Sequence, residues 1–352
     1  MELLSVTMND GVKPRSEIEG KDNSSEDKSN YKIVRKGDMV YNSMRMWQGA
    51  NGISPCDGIV SPAYTVLMPK QEINNGYFAA LFKSVTLINE FRKNSQGMTS
   101  DTWNLKYPQI GTIKVQIPSV SEQDKVSELF SVLDERIATQ AQLVESLKKY
   151  KRGLLSQLIA QKKAFDTSGE WKMVKLGHIF KERTERAKGN ETLLAVTISN
   201  GVQRRDEIDL KDNSSDDKSN YKCVYIGDIA YNTMRMWQGA SGVSPYNGIV
   251  SPAYTIVTPI RPDLHNMTFW AYYFKYSPLV QTFQKYSQGL TSDTWNLKFP
   301  QFSEIAVTMP PISEQDKIAE CLSVFDEHCK CEDEKLQALL QVRTSLLQQL
   351  FI

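Results

Sequence analysis

Apolar side chains recur at helical spacing over two long stretches of the chain. In both stretches they alternate in steps of three and four once a few polar positions are counted, which is the a/d repeat of a coiled coil. The first seam consists of Leu133, Ile137, Gln140, Val144, Leu147, Lys151, Leu154 and Leu158. The second consists of Phe325, Cys329, Glu332, Leu336, Leu339, Arg343, Leu346 and Leu350. The pattern predicts two long helices that pair through these seams.

The polar seam residues indicate an antiparallel register. It places Lys151 opposite Glu332 and Gln140 opposite Arg343, and complementary polar groups in a seam can fix register at some cost in stability. The apolar partners are then Leu133 with Leu350, Ile137 with Leu346, Val144 with Leu339, and Leu147 with Leu336. We predict a coiled coil about 38 Å long between residues 133 and 158, at 1.5 Å per residue. The alternative is two surface helices that each lie on their own domain.

The sequence SEQDK at 121–125 predicts where the first helical region begins. Ser121 is the expected N-cap, with acidic residues in the first turn. A shorter helix is expected to lead into the longer one.

Short segments rich in β-branched and aromatic residues precede each helical region. Between Gly, Pro, Asn and Asp they predict strands. The predicted strands of the first half are Met39–Tyr41, Ile59–Val60, Ala63–Leu67 and Ile113–Ile117, the last ending at Pro118. Helices are predicted over Tyr77–Asn89 and Met267–Thr282.

The chain repeats itself. GDMVYNSMRMWQGANGISP at 37–55 returns as GDIAYNTMRMWQGASGVSP at 227–245, and SQGMTSDTWNLKYPQ at 95–109 returns as SQGLTSDTWNLKFPQ at 287–301. The offset changes from 190 to 192, so a two-residue insertion is expected near Pro259–His265. So long a period makes each copy a domain with an appended helix. Residues 171–191 have no counterpart before Leu3, so we expect the first copy to lack its opening segment.

These patterns give an α+β fold with two domains. We expect two pseudo-two-fold related mixed α/β domains, joined by the long antiparallel two-helix coiled coil. The predicted boundaries are a first domain at 1–120, helices at 121–165, a second domain at 166–312 and helices at 313–352. The length of 352 residues agrees with about two domains at roughly 100–200 residues each.

Composition and charge limit the function classes. No apolar run approaches the roughly 20 residues that span a bilayer, and the N-terminus lacks the features of a signal peptide. The five cysteines have no regular spacing, which fits a reducing compartment, so we predict a cytoplasmic protein. The net charge of +1 is low for a DNA-binding protein. A DNA-binding function therefore requires basic residues gathered on one face, or a partner that contacts the DNA backbone.

Motifs for catalysis and cofactor binding are absent from the sequence. We find no GxxxxGK[ST], GxGxxG, HExxH or GxSxG pattern, and none of the three histidines recurs in both copies. We predict no catalytic residue and no cofactor. The cluster His328-Cys329-Lys330-Cys331 has residue types that bind zinc. On a helix, however, Cys329 and Cys331 point about 200° apart, and Cys329 is better explained as a seam residue.

Two motifs repeat almost unchanged and have a composition suited to DNA. In MRMWQGA, Arg can bind guanine and Gln adenine in bidentate fashion. Strand alternation would put Asn42, Met44, Met46 and Gln48 on one side and Ser43, Arg45 and Trp47 on the other. Met46 and Trp47 are equally explained as packing residues, and for Arg45 and Arg235 both interpretations stay open.

The second motif, SQGMTSDTWNLK and its copy, is a polar loop suited to phosphate and base-edge contacts. The alternative is a structural turn in which Asp101 and Asn104 cap neighbouring helices. The candidate DNA-binding residues of the first copy are Asn42, Arg45, Trp47, Gln48, Gln96, Thr99, Ser100, Asn104 and Lys106. Those of the second are Asn232, Arg235, Trp237, Gln238, Gln288, Thr291, Ser292, Asn296 and Lys298.

The two-copy layout, these motifs, GIVSPAYT after each MRMWQGA, and PPISEQDKIAECLSVFDE at 310–327 resemble the specificity subunits of type I restriction–modification systems. WKMVKLGHIF at 171 is similar to the opening of a target-recognition domain of that family. The resemblance covers nearly the whole chain. It implies a non-catalytic subunit whose two target-recognition domains each read half of a bipartite DNA site. The helices would set the gap and dock two methyltransferase subunits, and motor–nuclease subunits would join for cleavage.

The near-identity of the copies adds an expectation of its own. Two domains with the same reading residues, related by a pseudo-two-fold axis, should read the same sequence on opposite strands, so we expect a nearly palindromic target. The alternatives are a nuclease or methyltransferase in its own right, a coiled-coil scaffold that binds a non-DNA ligand, and a truncated, inactive specificity allele.

Overall fold

The chain forms two compact units in the computed structural model, which describes residues 1–8, 11–20, 22, 24–162, 165, 169–188, 191–208, 214 and 217–351. Unit 1 consists of Met1–Val144 and Glu332–Ile352, and unit 2 consists of Glu145–Cys331. Each unit therefore holds one copy of the repeat together with part of both long helices.

Unit 1 contains two small sheets and a group of helices. Its strands are β1 (Glu2–Thr7), β2 (Gly11–Pro14), β3 (Lys32–Val34), β4 (Met39–Asn42), β5 (Asn51–Ile53), β6 (Gly58–Val60) and β7 (Tyr64–Leu67). Its helices are α1 (Asn75–Leu81), α2 (Val85–Asn94), α3 (Tyr107–Ile110) and the first part of α4 (Val120–Ile159). The strand orders are β2-β1-β6-β3 and β5-β4-β7.

Unit 2 repeats this plan with an additional opening segment. That segment comprises β8 (Lys172–Lys175), α5 (Leu176–Ile179) and β9 (Phe180–Glu182). The later strands are β10 (Leu194–Thr197), β11 (Gly201–Arg204), β12 (Lys222–Val224), β13 (Ile229–Asn232), β14 (Ser241–Val243), β15 (Gly248–Val250), β16 (Tyr254–Pro259) and β17 (Ala306–Met309). The later helices are α6 (Met267–Tyr273), α7 (Ser277–Tyr286), α8 (Phe299–Ser303) and α9 (Ile312–Leu350), whose last part belongs to unit 1.

The sheets of unit 2 place β9 at an edge. The principal sheet has the order β14-β13-β16-β9, β8 pairs with β17, and two further pairs are β10 with β11 and β12 with β15. Alternate side chains of β13 face two different clusters. Ile229 and Tyr231 lie in the large cluster built around the helices, and Ala230 lies in a separate cluster on the other face.

The sequence located the strands of unit 1 well but missed breaks in the helices. The strands predicted at 39–41, 59–60 and 63–67 are confirmed as β4, β6 and β7. The single helix predicted over Tyr77–Asn89 is wrong, because Ser84 interrupts it and caps α2 by accepting a hydrogen bond from Leu87 N at 3.3 Å. The helix predicted over Met267–Thr282 is wrong as well, because it is interrupted between Tyr273 and Ser277; α7 begins there without a side-chain cap and has Pro278 in its first turn.

The strand predicted over Ile113–Ile117 is also wrong, since none of these residues has strand geometry. Its counterpart in unit 2 is β17, which pairs antiparallel with β8. A strand needs a hydrogen-bonding neighbour, and the described residues of unit 1 contain no counterpart of β8.

The start of α4 differs from the expected one. The helix is continuous over Val120–Ile159, so the predicted division into a shorter and a longer helix is wrong. Its N-cap is Ser119 and not Ser121. Ser119 Oγ accepts from Glu122 N, and Glu122 Oε2 accepts from Ser119 N at 3.1 Å. This reciprocal pair is a capping box.

The long helices pair antiparallel within each unit, as predicted, but in another register. Gln140 Nε2 donates to Glu332 Oε2 at 2.7 Å and does not face Arg343. Arg343 instead pairs with Asp134, and Lys151 pairs with Asp326 rather than Glu332. The seam side chains are buried or half-buried except Leu350, which is 44% exposed. Leu347 and Phe351 are buried in its place. No helix in the described part of the chain has the length and hydropathy needed to cross a membrane.

Candidate nucleic-acid interface

The MRMWQGA motif forms a tight turn directly after a central strand. β4 ends at Asn42, whose side-chain Oδ1 accepts from Met44 N at 3.1 Å, and a 3-10 turn follows over Met46–Gln48. Gly49 ends that turn in the left-handed region at φ 82°, which glycine adopts without steric cost. The predicted strand alternation is therefore wrong. Met46 is fully buried while Met44 is 40% exposed, although alternation placed them on one side.

The second motif is a short hairpin with an exposed tip. Gln96 and Asn104 exchange backbone hydrogen bonds of 3.0 and 2.8 Å at its base. Inside the loop, Thr102 Oγ1 donates to Thr99 O at 2.9 Å and accepts from Thr99 N. Gly97 has φ 148°, and a Cβ there would lie 2.6 Å from Thr102 O. These contacts fix the loop without using Asp101, and α3 begins after Lys106 without a side-chain cap, so the helix-cap alternative is wrong.

The structure brings the two motifs together. Leu105 N donates to Ser43 O at 2.8 Å, and the rings of Trp47 and Trp103 meet edge to face with centroids 5.2 Å apart. Trp47 Nε1 also donates to Met44 O at 3.1 Å. Turn and hairpin therefore form one surface, which we call the reading surface of unit 1.

Unit 2 builds the same surface with nearly the same geometry. Leu297 N donates to Thr233 O at 2.9 Å, and Trp237 and Trp295 meet edge to face at 5.1 Å. Gln288 and Asn296 exchange the same pair of backbone hydrogen bonds as their counterparts. Two stretches more than 40 residues apart in sequence thus form one recurring construction in each unit.

In unit 2 a buried lysine forms hydrogen bonds to the backbone of the turn. Lys275 Nζ donates to the backbone oxygens of Gly239 and, at 3.0 Å, Ile198. Burial of the ammonium group lowers the pKa of Lys275 to about 8. A cation held against two carbonyl groups restrains the turn that carries Arg235.

The candidate residues separate into exposed groups and packed ones. The exposed residues of unit 1 are Arg45, Gln96, Thr99, Ser100 and Lys106, and those of unit 2 are Arg235, Gln238, Gln288, Thr291, Ser292 and Lys298. The half-buried residues are Asn42, Trp47, Gln48, Asn104, Asn232, Trp237 and Asn296. Trp47 and Trp237 contribute chiefly to packing, because each indole nitrogen already donates to the backbone and each ring packs against a second tryptophan.

Three features of the surface escaped the sequence reasoning. Trp103 and Trp295 join the two motifs, and their place inside a repeated segment was the available signal. Met98 and Leu290 at the hairpin tips are 100% and 101% exposed. The guanidinium of Arg92 lies 5.8 Å from the centre of the Trp47 ring, whereas the corresponding residue of unit 2 is Gln284.

The surface offers hydrogen-bond donors, acceptors and apolar tips. The described residues contain no group of three or more His, Cys, Asp or Glu side chains placed to hold a metal ion. In the cluster considered for zinc, Cys329 is buried and Cys331 is exposed.

Comparisons with known proteins agree with this geometry. The family model of the type I restriction modification DNA specificity domain matches residues 5–149 and 168–341. The S subunit of the type-I restriction-modification system from M. genitalium is similar in structure at 16% identity, with a TM-score of 0.57 over 91% of this chain and 84% of that chain. A structure concerned with complex assembly and conformational transition of the type I R-M system gives 16% identity and a TM-score of 0.54, covering 92% and 83%.

The HsdS subunit from Thermoanaerobacter tengcongensis is 17% identical, with a TM-score of 0.46 over 92% of this chain and 82% of that chain. At such identities, structural likeness concerns the fold. The family match covers most of the chain, and the chain belongs to the type I restriction modification DNA specificity family. It is a non-catalytic DNA-recognition subunit. The alternatives of an independent nuclease or methyltransferase, a non-DNA scaffold and an inactive allele are not supported.

Proposed function

We propose that each unit reads one half of a bipartite, nearly palindromic DNA target through its reading surface. The observation that carries this proposal is the recurrence of one construction in both units, with tryptophan pairs at 5.2 and 5.1 Å and the same exposed Arg, Gln, Thr, Ser and Lys around them. The same exposed side chains in nearly the same settings favour the same bases. The pseudo-two-fold relation that the family resemblance implies then gives inverted half-sites.

Within each reading surface the exposed arginine is the main candidate for base recognition. Arg45 and Arg235 project from the turn, and arginine binds the O6 and N7 of guanine in bidentate fashion. The hydroxyls of Thr99 and Ser100, with Lys106, suit phosphate contacts that hold the unit in place. Asn104 Oδ1 and Asn296 Oδ1 are buried and accept no hydrogen bond from a described residue.

The hairpin tips suggest how the DNA is deformed. Met98 and Leu290 occupy corresponding positions at the two hairpin tips, and both expose their whole side chains to solvent. Proteins insert such side chains as wedges between base steps. We therefore assign the two tips to insertion into the duplex.

The long helices carry the proposed partner sites. Val132 and Val324 occupy corresponding positions and are 61% and 59% exposed, on the outer sides of α4 and α9. An apolar residue repeated at one helical position supports two equivalent docking sites, for two methyltransferase subunits. Motor–nuclease subunits would complete the assembly, and under this proposal the complex acts in the cytoplasm, where the DNA is.

The test is to co-express the chain with the methyltransferase subunit of its own operon and to map methylated adenines across the host genome. A single gapped motif with matching inverted halves is expected. Two unrelated half-sites would refute the near-palindromic target. A stable complex that leaves the genome unmethylated would refute the proposed reading role while leaving the partner sites standing.

A matched control separates recognition from assembly. The double variant Arg45→Ala and Arg235→Ala should form the complex with unchanged yield but lose the motif. Arg136→Ala, an exposed arginine on α4, should retain both. Loss of methylation in the Arg136 variant alone would contradict the assignment of reading to the turns.

A further inference from the structure

The opening segment of unit 2, β8–α5–β9, covers an apolar face of that unit. Phe180 is buried, and its ring packs edge to face on Trp270 at 5.3 Å and on Phe274 at 5.9 Å. Leu176 and Ile179 are buried in the same cluster. β9 also closes the edge of the principal sheet by pairing with β16.

Polar contacts hold the same segment in place. Arg183 forms two hydrogen bonds to the carboxylate of Asp228, at 2.7 and 3.0 Å, and Lys222 pairs with Glu182 at 3.2 Å. Trp171 Nε1 donates to Glu314 at 2.9 Å, and Glu314 is only 4% exposed. The segment thus combines an apolar anchor with charged contacts at both ends.

Unit 1 has counterparts of the residues that the opening segment covers in unit 2. Phe78 and Phe82 correspond to Trp270 and Phe274 but are only partly buried, and Val115 is 40% exposed where Val307 is 5% exposed. Among the described residues of unit 1, no strand pairs with the outer edge of β7, which corresponds to the edge of β16 that β9 covers. Met68, just beyond that edge, is 81% exposed.

The charged residues that the opening segment contacts in unit 2 also have counterparts in unit 1. Lys32 and Asp38 correspond to Lys222 and Asp228, and Glu122 corresponds to Glu314 but is exposed. On the nearby sheet, Ile33 is 56% exposed, whereas its counterpart Cys223 is 7% exposed beneath Ala187. An apolar face, a strand edge and matching charges together define both the shape and the chemistry of what fits there.

We propose that this face of unit 1 is a docking site for a polypeptide segment. The segment would have the chemistry of residues 171–183: a strand, the Leu-Gly-x-Ile-Phe turn, and a second strand ending in Glu and Arg. The segment adds to the free edge of β7, and its Ile and Phe cover Phe78 and Phe82. Its Arg faces Asp38 and its Glu faces Lys32.

The test uses the full chain and a labelled peptide of residues 170–187. Fluorescence anisotropy should show saturable one-to-one binding, and the peptide should slow hydrogen exchange at Thr65–Met68. The control peptide with Ile179→Asp and Phe180→Asp should bind roughly tenfold or more weakly, since burial of two large apolar side chains is lost. This binding is independent of DNA, so it stands or falls separately from the proposed reading function.

Variants of the chain test the site itself. Val115→Lys and Met68→Asp change exposed residues, so the fold should survive, which circular dichroism checks, while the affinity for the peptide should fall. Asp38→Lys should weaken binding of the wild-type peptide, and the same variant should bind a peptide with Arg183→Glu with recovered affinity. The proposal is overturned if the wild-type peptide and the control peptide bind equally well, or if the wild-type peptide does not bind. A second copy of the chain would be the occupant if the chain self-associates, if Val115→Lys abolishes that self-association and if the peptide does not compete with it. That outcome also overturns the proposal.

Discussion

Arg343 donates from Nε and Nη2 to the two carboxylate oxygens of Asp134, the second at 3.2 Å. The same ion pair recurs in unit 2 as Lys151 with Asp326, because these residues correspond across the repeat. Each unit therefore holds its portion of the helix pair with one cation from a seam and one aspartate beside the opposite seam. The pair defines the register within each unit.

We expect a double-mutant cycle on Asp134 and Arg343 to show coupling. The pair is partly exposed, with 20% of the Arg343 side chain and 50% of the Asp134 side chain accessible, so the coupling should be about 0.5–1 kcal/mol. Urea unfolding of Asp134→Ala, Arg343→Ala and the double variant measures it. A cycle on Gln140 and Arg343 is the control and should show no coupling. The opposite result would restore the register expected from the sequence.

Replacing Arg45 with Ala should weaken specific DNA binding by about 1–3 kcal/mol and relax the base preference in one half-site. Arg45→Lys should not rescue it, because an ammonium group cannot form the bidentate contact. Binding is measured on the complex with its methyltransferase partner, using duplexes altered in one half-site at a time. If Arg45→Lys bound with wild-type preference, the arginine would contact phosphate and not a base.

Replacing Met98 and Leu290 with Ser should weaken binding by several-fold, roughly 1 kcal/mol, and reduce DNA bending. Both side chains are fully exposed in the free protein, so the unfolding midpoint should not change. Circular-permutation mobility assays report the bend. Met173→Ser changes an exposed apolar residue outside both the reading surface and the proposed partner sites, so it is the matched control for DNA binding and should leave the bend unchanged.

The stability of unit 2 should increase with pH above about 8 through Lys275. The folded-state pKa is about 8 and lies below the ordinary value of 10.5. Between these values the unfolded chain binds more protons, so the free energy of unfolding rises by up to about 1.4 kcal/mol for each pH unit. The rise should be absent in Lys275→Met. Urea midpoints across this range measure it, and parallel pH profiles of the two proteins would contradict it.

The sequence predicted the parts of the fold that depend on pattern alone. Apolar spacing located both long helices, and the repeat located both domains. The register escaped prediction because Arg343 and Lys151 reach aspartates beside the seam, and a heptad pattern does not show how far a long side chain reaches. The helix start was displaced by two residues because Ser119 and Glu122 form the capping box in place of Ser121.

The composition of the two motifs predicted which residues form the reading surface, but the sequence did not predict the shape of that surface. Repetition without a catalytic pattern singled out both motifs, and the structure joins them through Trp47 and Trp103. The shape of the turn depends on Asn42 folding back onto Met44 N and on the left-handed Gly49, both of which override strand alternation. The exposure of Met98 and Leu290 depends on the hairpin conformation of the second motif, which its residue pattern does not show. The assignment of individual residues to DNA stays a prediction.

The last residues of the chain belong to the unit that is synthesised first. Phe351 stacks on Phe130 at 6.0 Å and meets Tyr77 edge to face at 5.5 Å, so the core of unit 1 includes side chains from both ends of the chain. Unit 2 is continuous in sequence and can complete its core as soon as residue 331 has left the ribosome. Unit 1 cannot, and its assembly waits until the residues from Glu332 to Phe351 have been synthesised. Synthesis that stops early would therefore leave the first copy of the repeat unfinished, although every residue of that copy had already been made.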